Sequence, residues 1–207
     1  MGYFPFYIDI KDKKCVIAGG GRVALRKVEK LIPFEPDITV IAPQIDSEIE
    51  SLGVKLLRRK IQDSDFDGAF FAVSATDDEK VNLHVFELCS HRGILINTVD
   101  DMEKCGFIFP ALVKRDNITI SVSTSGKSPA YAAYLRGKIE DITSEDDEKI
   151  VETLWRFRPI IKKKISDPGK RKLIFERLTD ICIKNGGIPE DEFILDFIEE
   201  MNNRYEN

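Results

Sequence analysis

Gly19-Gly20-Gly21-Arg22-Val23-Ala24 is the stretch of this chain whose residue types and spacing most directly suggest chemistry. It fits the pattern G-x-G-x-x-A. In that pattern the first glycine permits a tight turn, the second lets a pyrophosphate approach the backbone, and the alanine lets a helix pack close against a sheet. N–H groups at a helix start, together with the helix dipole, favour phosphate. Gly19, Gly21, Arg22, Val23 and Ala24 are therefore candidate cofactor contacts. The alternative is a glycine-rich turn that binds nothing. A carboxylate usually holds the ribose hydroxyls at the end of the second strand. Here Ile41-Ala42-Pro43-Gln44 occupies that place, which makes Pro43 and Gln44 candidates and leaves Asp46 two residues too far along. No Arg marks a 2′-phosphate site, so this stretch does not separate NAD from NADP.

Other residues with chemical potential cluster at predicted strand ends. Asp100 follows the apolar run Ile94–Val99, at the edge of an open sheet where ligands bind. A carboxylate there could accept a proton, and a turn-forming Asp is the alternative. Asn97 ends the same run, and its amide could face a nicotinamide. Thr76 and Asp77 end another run and would border the cofactor cleft, or cap the next helix, or both. Ser123-Thr124-Ser125-Gly126-Lys127-Ser128 is rich in donors ahead of a helix. With Lys127 and Arg136 it could take anionic groups, which makes Ser123, Thr124, Ser125, Lys127 and Arg136 candidate substrate contacts. It is not a P-loop, because Ser121 stands where the first glycine is required.

Metal-binding signals are weak. His84 and His91 are seven residues apart on one predicted helix, about 10 Å, too far for one ion. Cys15, Cys89, Cys105 and Cys182 form no C-x-x-C pair, which argues against a disulfide framework or zinc knuckle and for a reducing cytoplasm. Any metal ligands are unknown from the sequence. Nine basic residues lie between Arg156 and Arg177, opposed only by Asp167 and Glu176. A solvated helix face is the plain reading. A polyanionic substrate is a second, and nucleic acid a third, disfavoured by a net charge of −5.

The elements that must position these residues alternate. Cys15–Ala18, Ile38–Ile41, Val54–Leu57, Ala69–Val73 and Ile94–Val99 read as buried strands. Ala24–Ile32, ended by Pro33, and Glu79–Arg92, capped by Asp78, read as helices. The first turns Ala24, Val28, Leu31 and Ile32 inward and Arg26, Lys27, Glu29 and Lys30 elsewhere. Val81, Val85 and Leu88 form the inner face of the second. Alternating strands and helices predict parallel βαβ units. Phe107–Val113 and Ile118–Ser123 then read as a hairpin, followed by a helix from Pro129 with apolar Tyr131, Tyr134, Leu135 and Ile139. Residues 141–147 read as an acidic linker, and helices are expected over about 146–165, 168–185 and 190–204. The predicted class is α/β: a Rossmann-like doubly wound parallel sheet over 1–112, a hairpin and helix region for dimerisation and substrate over 113–144, and an all-helical tail over 145–207.

Composition excludes several classes. With 43% apolar and 32% charged residues the chain is neither collagen-like nor disordered. No apolar run approaches a membrane span. The start has no basic region followed by a long apolar one, so no secretory signal is expected.

Several ordered blocks resemble the precorrin-2 dehydrogenase/sirohydrochlorin ferrochelatase family, the N-terminal module of sirohaem synthases. They are Lys14–Lys27, Ala75-Thr76-Asp77-Asp78, Asn97-Thr98-Val99-Asp100, Phe109-Pro110-Ala111 and Ile120–Ala130, followed by Leu135-Arg136 and Ile139-Glu140. The resemblance covers about 1–145 closely and the helical tail loosely. It implies NAD-dependent oxidation of precorrin-2, an anionic tetrapyrrole, to sirohydrochlorin. It also implies Asp100 as the catalytic aspartate, ferrous iron insertion in some members, and a homodimer built through the middle region. With no methyltransferase segment following, the stand-alone form is expected. The competing reading is a non-enzymatic NAD(H)-binding redox sensor, which would have no use for the Asp100 loop or the Ser/Thr/Lys turn.

Overall fold

The computed structural model describes residues 3–204 and divides into two compact units, one ending at Phe109 and one beginning at Pro110. In the first unit, β1 (Lys14–Ala18), β2 (Asp37–Ile41), β3 (Lys55–Leu57), β4 (Phe71–Ser74) and β5 (Leu95–Thr98) form one parallel sheet in the order β3-β2-β1-β4-β5. Helices α1 (Arg22–Leu31), the short α2 (Ser47–Ser51) and α3 (Glu79–Arg92) make or interrupt the crossovers. The doubly wound sheet expected from the sequence is present.

The sheet forms here because its strands are apolar on both faces, as a helix-covered parallel sheet requires. Side chains alternate across the sheet with period two. Cys15, Ile17, Val40 and Val73 pack with α1 through Ala24, Leu25, Val28 and Leu31. Val16, Ala18, Ile41 and Ala72 pack with α3 through Val85 and Cys89. Burying one Val or Leu side chain fully is worth about 1.5–3 kcal/mol. The α3 boundaries follow local chemistry: Asp78 accepts from the N–H groups of Lys80 and Val81, and Gly93 closes the helix at φ +67°, donating to Cys89 and Ser90 carbonyls.

Three local expectations are corrected, and one short helix is added. Lys27 is half-buried rather than on the outer face of α1. The loop after β2 contains α2, a single turn that buries only Ile49 and gives too short a pattern to read. Phe107–Pro110 is not strand: Phe107 and Phe109 instead pack against the α1-side core, their rings 5.4 Å apart. The acidic stretch 141–147 is mostly helix. It ends α4 (Pro129–Ile142) and begins α5 (Glu145–Lys164), where Ser144 and Asp147 form a capping box. Acidic residues suit a helix start, where the dipole is positive.

The second unit pairs β6 (Ala111–Arg115) antiparallel with β7 (Ile118–Val122) across an Asp116-Asn117 turn, and α4 packs on that hairpin. Its main core is helical. Phe157 and Ile161 of α5, Ile174 and Leu178 of α6 (Pro168–Asn185), and Ile194, Ile198 and Met201 of α7 (Asp191–Arg204) form one buried cluster. Much of the basic stretch is internally paired. Arg156 makes a two-pronged bridge to Asp191 (2.7 and 2.6 Å), Lys164 pairs with Glu199, and Arg171 donates to the carbonyls of Ile165 and Ser166. No described helix is long and apolar enough to cross a membrane.

Candidate active site

Strand order reverses between β1 and β4, since the chain runs outward from β1 to β3 and then returns to add β4 on the other side. In open α/β sheets ligands bind at this switch point, beyond the C-terminal strand ends. A cleft of about 1120 Å³ lies there, lined by the glycine turn, by 41–46 after β2, and by 75–78 after β4.

The three glycines do different work. Gly19 adopts φ +121°, and a Cβ there would stand 2.1 Å from the Ala75 carbonyl oxygen. The turn after β1 is thus pressed against the turn after β4, and only glycine fits. A Cβ at Gly20 would meet the Gln44 carbonyl at 2.3 Å, and the Gly20 carbonyl accepts from the Asp46 N–H at 2.8 Å. A Cβ at Gly21 would meet nothing within 4 Å. Gly21 caps α1 in an extended conformation with no side chain to close the helix, and the first turn carries no acidic residue. The first amides of α1 are therefore left for another acceptor. Open space at Gly21 beside unclaimed amides is the cradle a pyrophosphate needs, so these residues fit an NAD(P) cofactor.

Of the residues expected to hold a cofactor, Gly19, Gly21, Arg22, Val23, Pro43, Gln44, Thr76 and Asp77 line this cleft. Ala24, in the first turn of α1, is buried against the sheet. Asn97 does not line it: its amide donates to the Phe107 carbonyl (3.0 Å) and the Cys105 sulfur (3.4 Å), and its oxygen accepts from Lys27 Nζ (3.4 Å). Gly20, Lys60, Lys80 and His84 also line the cleft and carry no clear sequence signal. His84 contacts Asp63 at 2.7 Å. Asn82, also unmarked in the sequence, braces the turn after β4. Its oxygen accepts from Ser74 Oγ (2.7 Å) and Thr76 Oγ1 (2.8 Å), and its amide donates to the Thr76 carbonyl (2.9 Å).

One strand further along the same edge, Ser74 pairs in register with Thr98, and Asp100 follows two residues later. Asp100 is exposed, adopts the left-handed φ +61°, and makes no hydrogen bond or ion pair with any described residue. Its neighbour Asp101 is tied down instead. It caps the following 3-10 turn and pairs with Lys104, whose ammonium holds the Asp101 carboxyl below its usual range. Asp100 thus leaves a carboxylate without a hydrogen-bond or ion-pair partner among the described residues, beside one that is tethered. Thr98 Oγ1, at the same strand end, is a buried hydroxyl with no hydrogen-bond partner. Lys27 reaches in from α1, its ammonium 4.0 Å from the centre of the Phe109 ring. Burial pushes Lys27 down to about 8, helped by Lys30 and opposed by Cys105 and Asp100. Its position was legible in retrospect, because residues 24, 27, 28 and 31 share one helical face.

The 123–128 turn belongs to the second unit. Thr124 Oγ1 accepts from the Ser128 N–H (3.1 Å), Ser123 Oγ accepts from the Ser125 N–H (3.0 Å), and Ser128 Oγ caps α4 at the Tyr131 N–H (3.3 Å). Lys127 is exposed, and Arg136 lies 3.7 Å from Glu140 on the same helix. Among the described residues no group of three or more His, Cys, Asp or Glu could hold a metal ion.

Comparison with known proteins agrees with this geometry. Residues 6–111 match the family model described as "Putative NAD(P)-binding", and residues 115–142 match the sirohaem biosynthesis protein central model. The siroheme synthase of Thioalkalivibrio sulfidiphilus is 38% identical over 184 residues, covering 87% of this chain and 38% of that protein. The siroheme synthase of Photobacterium profundum is 33% identical, covering 87% and 39%. The chain thus spans well under half the length of these curated relatives. The solved structure of SirC, precorrin-2 dehydrogenase, superposes with a TM-score of 0.79 at 20% identity, covering 97% of this chain and all of that one, which establishes a shared fold. A match across half its length shows that the chain belongs to the family described as putative NAD(P)-binding, and the segment described as the central part of a sirohaem biosynthesis protein is matched directly behind it.

Proposed function

We propose that this chain oxidises precorrin-2 to sirohydrochlorin with NAD⁺. The observation that carries the reading is the placement of two features along one sheet edge: an open glycine turn that leaves helix amides for a pyrophosphate, and an unpartnered carboxylate one strand away. The relatives' names, siroheme synthase and precorrin-2 dehydrogenase, support the substrate.

The chain's own residues then have separable roles. Gly19 and Gly20 fix the turn, and Gly21, Arg22 and Val23 hold the pyrophosphate. Pro43 and Gln44 take the ribose side in place of an acidic residue, which removes the carboxylate that would repel a 2′-phosphate. NAD is the reading that the sequence resemblance implies, and the NAD(P)-binding match is in keeping with it. Thr76 and Asp77, braced by Asn82, form the opposite wall. The nicotinamide supplies the hydride acceptor. Oxidation of the macrocycle also releases a proton, and Asp100, exposed and free of other partners, accepts it or steadies the pyrrole nitrogen that carries it. Ser123, Thr124, Ser125, Lys127 and Arg136 are proposed to meet the acid groups of the substrate.

The chain is proposed to act as a homodimer through the 113–144 region. Tyr131 and Tyr134 on α4, with ring centres 5.8 Å apart, are 55% and 54% exposed and are proposed to lie at the centre of that contact. Sedimentation at micromolar concentration is expected to give twice the chain mass. The free thiols of Cys15, Cys89, Cys105 and Cys182 suit a cytoplasmic setting. Enzyme assays with precorrin-2 and NAD⁺ test the function. The wild-type chain should form NADH, while Asp100→Ala should be slower by about 10²–10⁴-fold in kcat with NAD⁺ binding intact. An Asp100→Ala chain that oxidises at the wild-type rate would refute the role. Ferrous iron insertion, which the resemblance also implies, is measured on the same pair with sirohydrochlorin.

A further inference from the structure

Lys27 sits where a lysine costs the fold. Its neighbours on α1, Arg26 and Lys30, are exposed, whereas Lys27 is half-buried on the inward-facing row with Ala24, Val28 and Leu31. Its ammonium makes no salt bridge with any described carboxylate. Instead it donates to Asn97 Oδ1 at 3.4 Å and lies 4.0 Å from the centre of the Phe109 ring. Asn97 in turn holds the returning segment through the Phe107 carbonyl and Cys105, and the Gly106 N–H donates to the Ile96 carbonyl at 2.8 Å. The charged and titratable groups that bear on Lys27 are Lys30 from its own helix, Asp100 from the turn after β5, and Cys105 from the returning segment. A buried ammonium without a carboxylate partner is destabilising, and such groups gather at functional sites.

We propose that Lys27 is a positioning residue for the oxidation: its ammonium, lodged between Asn97 and the Phe109 ring, ties the end of β5, from which the Asp100 turn follows, to the 105–109 segment. This rests on the reading of Asp100 given above. The tie is strongest while Lys27 keeps its proton, because only the charged form is drawn to the face of the Phe109 ring. Burial has lowered the pH at which the proton leaves to about 8, so the support is lost just above neutrality.

The test is the pH dependence of kcat and KM with precorrin-2 and NAD⁺, together with thermal melting, on the full chain and on Lys27→Met, Lys27→Arg and Asp100→Asn. Wild-type kcat should fall as pH rises through about 8. Lys27→Arg, whose guanidinium stays charged, should hold its activity to higher pH. Lys27→Met should lose about tenfold in kcat at neutral pH, bind NAD⁺ as the wild type does, and melt at a higher temperature, since it no longer buries a charge. Wild-type kcat in Lys27→Met, or a kcat loss accompanied by a lower melting temperature, would overturn the proposal. If Lys27→Met fails to fold, an unmoved alkaline limb in Lys27→Arg would overturn it. Wild-type activity in Asp100→Asn would instead refute the reading of Asp100, whatever the lysine variants show.

Discussion

Two helices in this chain begin at donor-rich turns, and the two turns treat their donors in opposite ways. At the Gly19–Gly21 turn there is no side chain to cap α1, so the amides of its first turn face the cleft without an internal acceptor. At the 123–128 turn the hydroxyls of Ser123, Thr124 and Ser128 accept from nearby N–H groups and close the start of α4. At the second turn it is the backbone donors that are already satisfied, which leaves side chains such as Lys127 to meet acid groups. Backbone amides hold a pyrophosphate only where no local side chain claims them, and glycine leaves them free where serine does not.

Substitutions in each turn separate the two behaviours. The largest effect is expected from Gly19→Ala, which puts a methyl 2.1 Å from the Ala75 carbonyl at a φ that side chains resist. It should destabilise the first unit by more than about 3 kcal/mol, read by urea unfolding. Next is Gly21→Leu, whose side chain enters open space. It should cost about 1 kcal/mol of stability yet weaken NAD⁺ binding about 100-fold in a titration, through lost charge-assisted hydrogen bonds of about 1.5–3 kcal/mol each. Tight NAD⁺ binding by Gly21→Leu would end the claim that the two turns differ. Ser128→Ala should do the reverse, losing about 1 kcal/mol of stability with NAD⁺ affinity unchanged, because it removes a cap rather than a ligand contact. The smallest effect is in the pH dependence of stability. Lys27 in the folded chain releases its proton at about 8, below the ordinary 10.5, so the unfolded chain binds more protons between those values. This group's contribution to stability should therefore rise with pH across that window, and Lys27→Met should flatten the rise.

The same contrast explains how much could be read in advance. The sheet and its glycine turn were legible because strand composition, helical periodicity and the G-x-G-x-x-A spacing all point the same way. The start of α3 was legible for a similar reason, with Asp78 before it and Val81, Val85 and Leu88 at helical spacing within it. What escaped was set by tertiary contact. Asn82 reads as an ordinary polar residue on a helix, yet it holds Ser74 and Thr76 across the sheet edge. Gly20 lies between the two glycines of the motif, and its constraint comes from Gln44, 24 residues away. Asn97 was expected to face the cofactor, but its amide is taken by a segment that returns along β5 only in the folded chain. The 141–147 stretch read as a linker because acidic residues in a row suggest solvent, although they also suit the first turn of a helix such as α5.

The chain is proposed to couple precorrin-2 to NAD⁺ through the cleft at the β1–β4 switch point and Asp100 beside it. The most direct measurement is an anaerobic incubation of the purified chain with precorrin-2 and NAD⁺, following NADH and sirohydrochlorin together. One NADH is expected for each sirohydrochlorin formed, with the rate lowered about 100-fold or more by Gly21→Leu at limiting NAD⁺ through weakened binding and by Asp100→Ala with NAD⁺ still bound. A chain that binds NAD⁺ but yields no NADH with precorrin-2 would contradict that coupling.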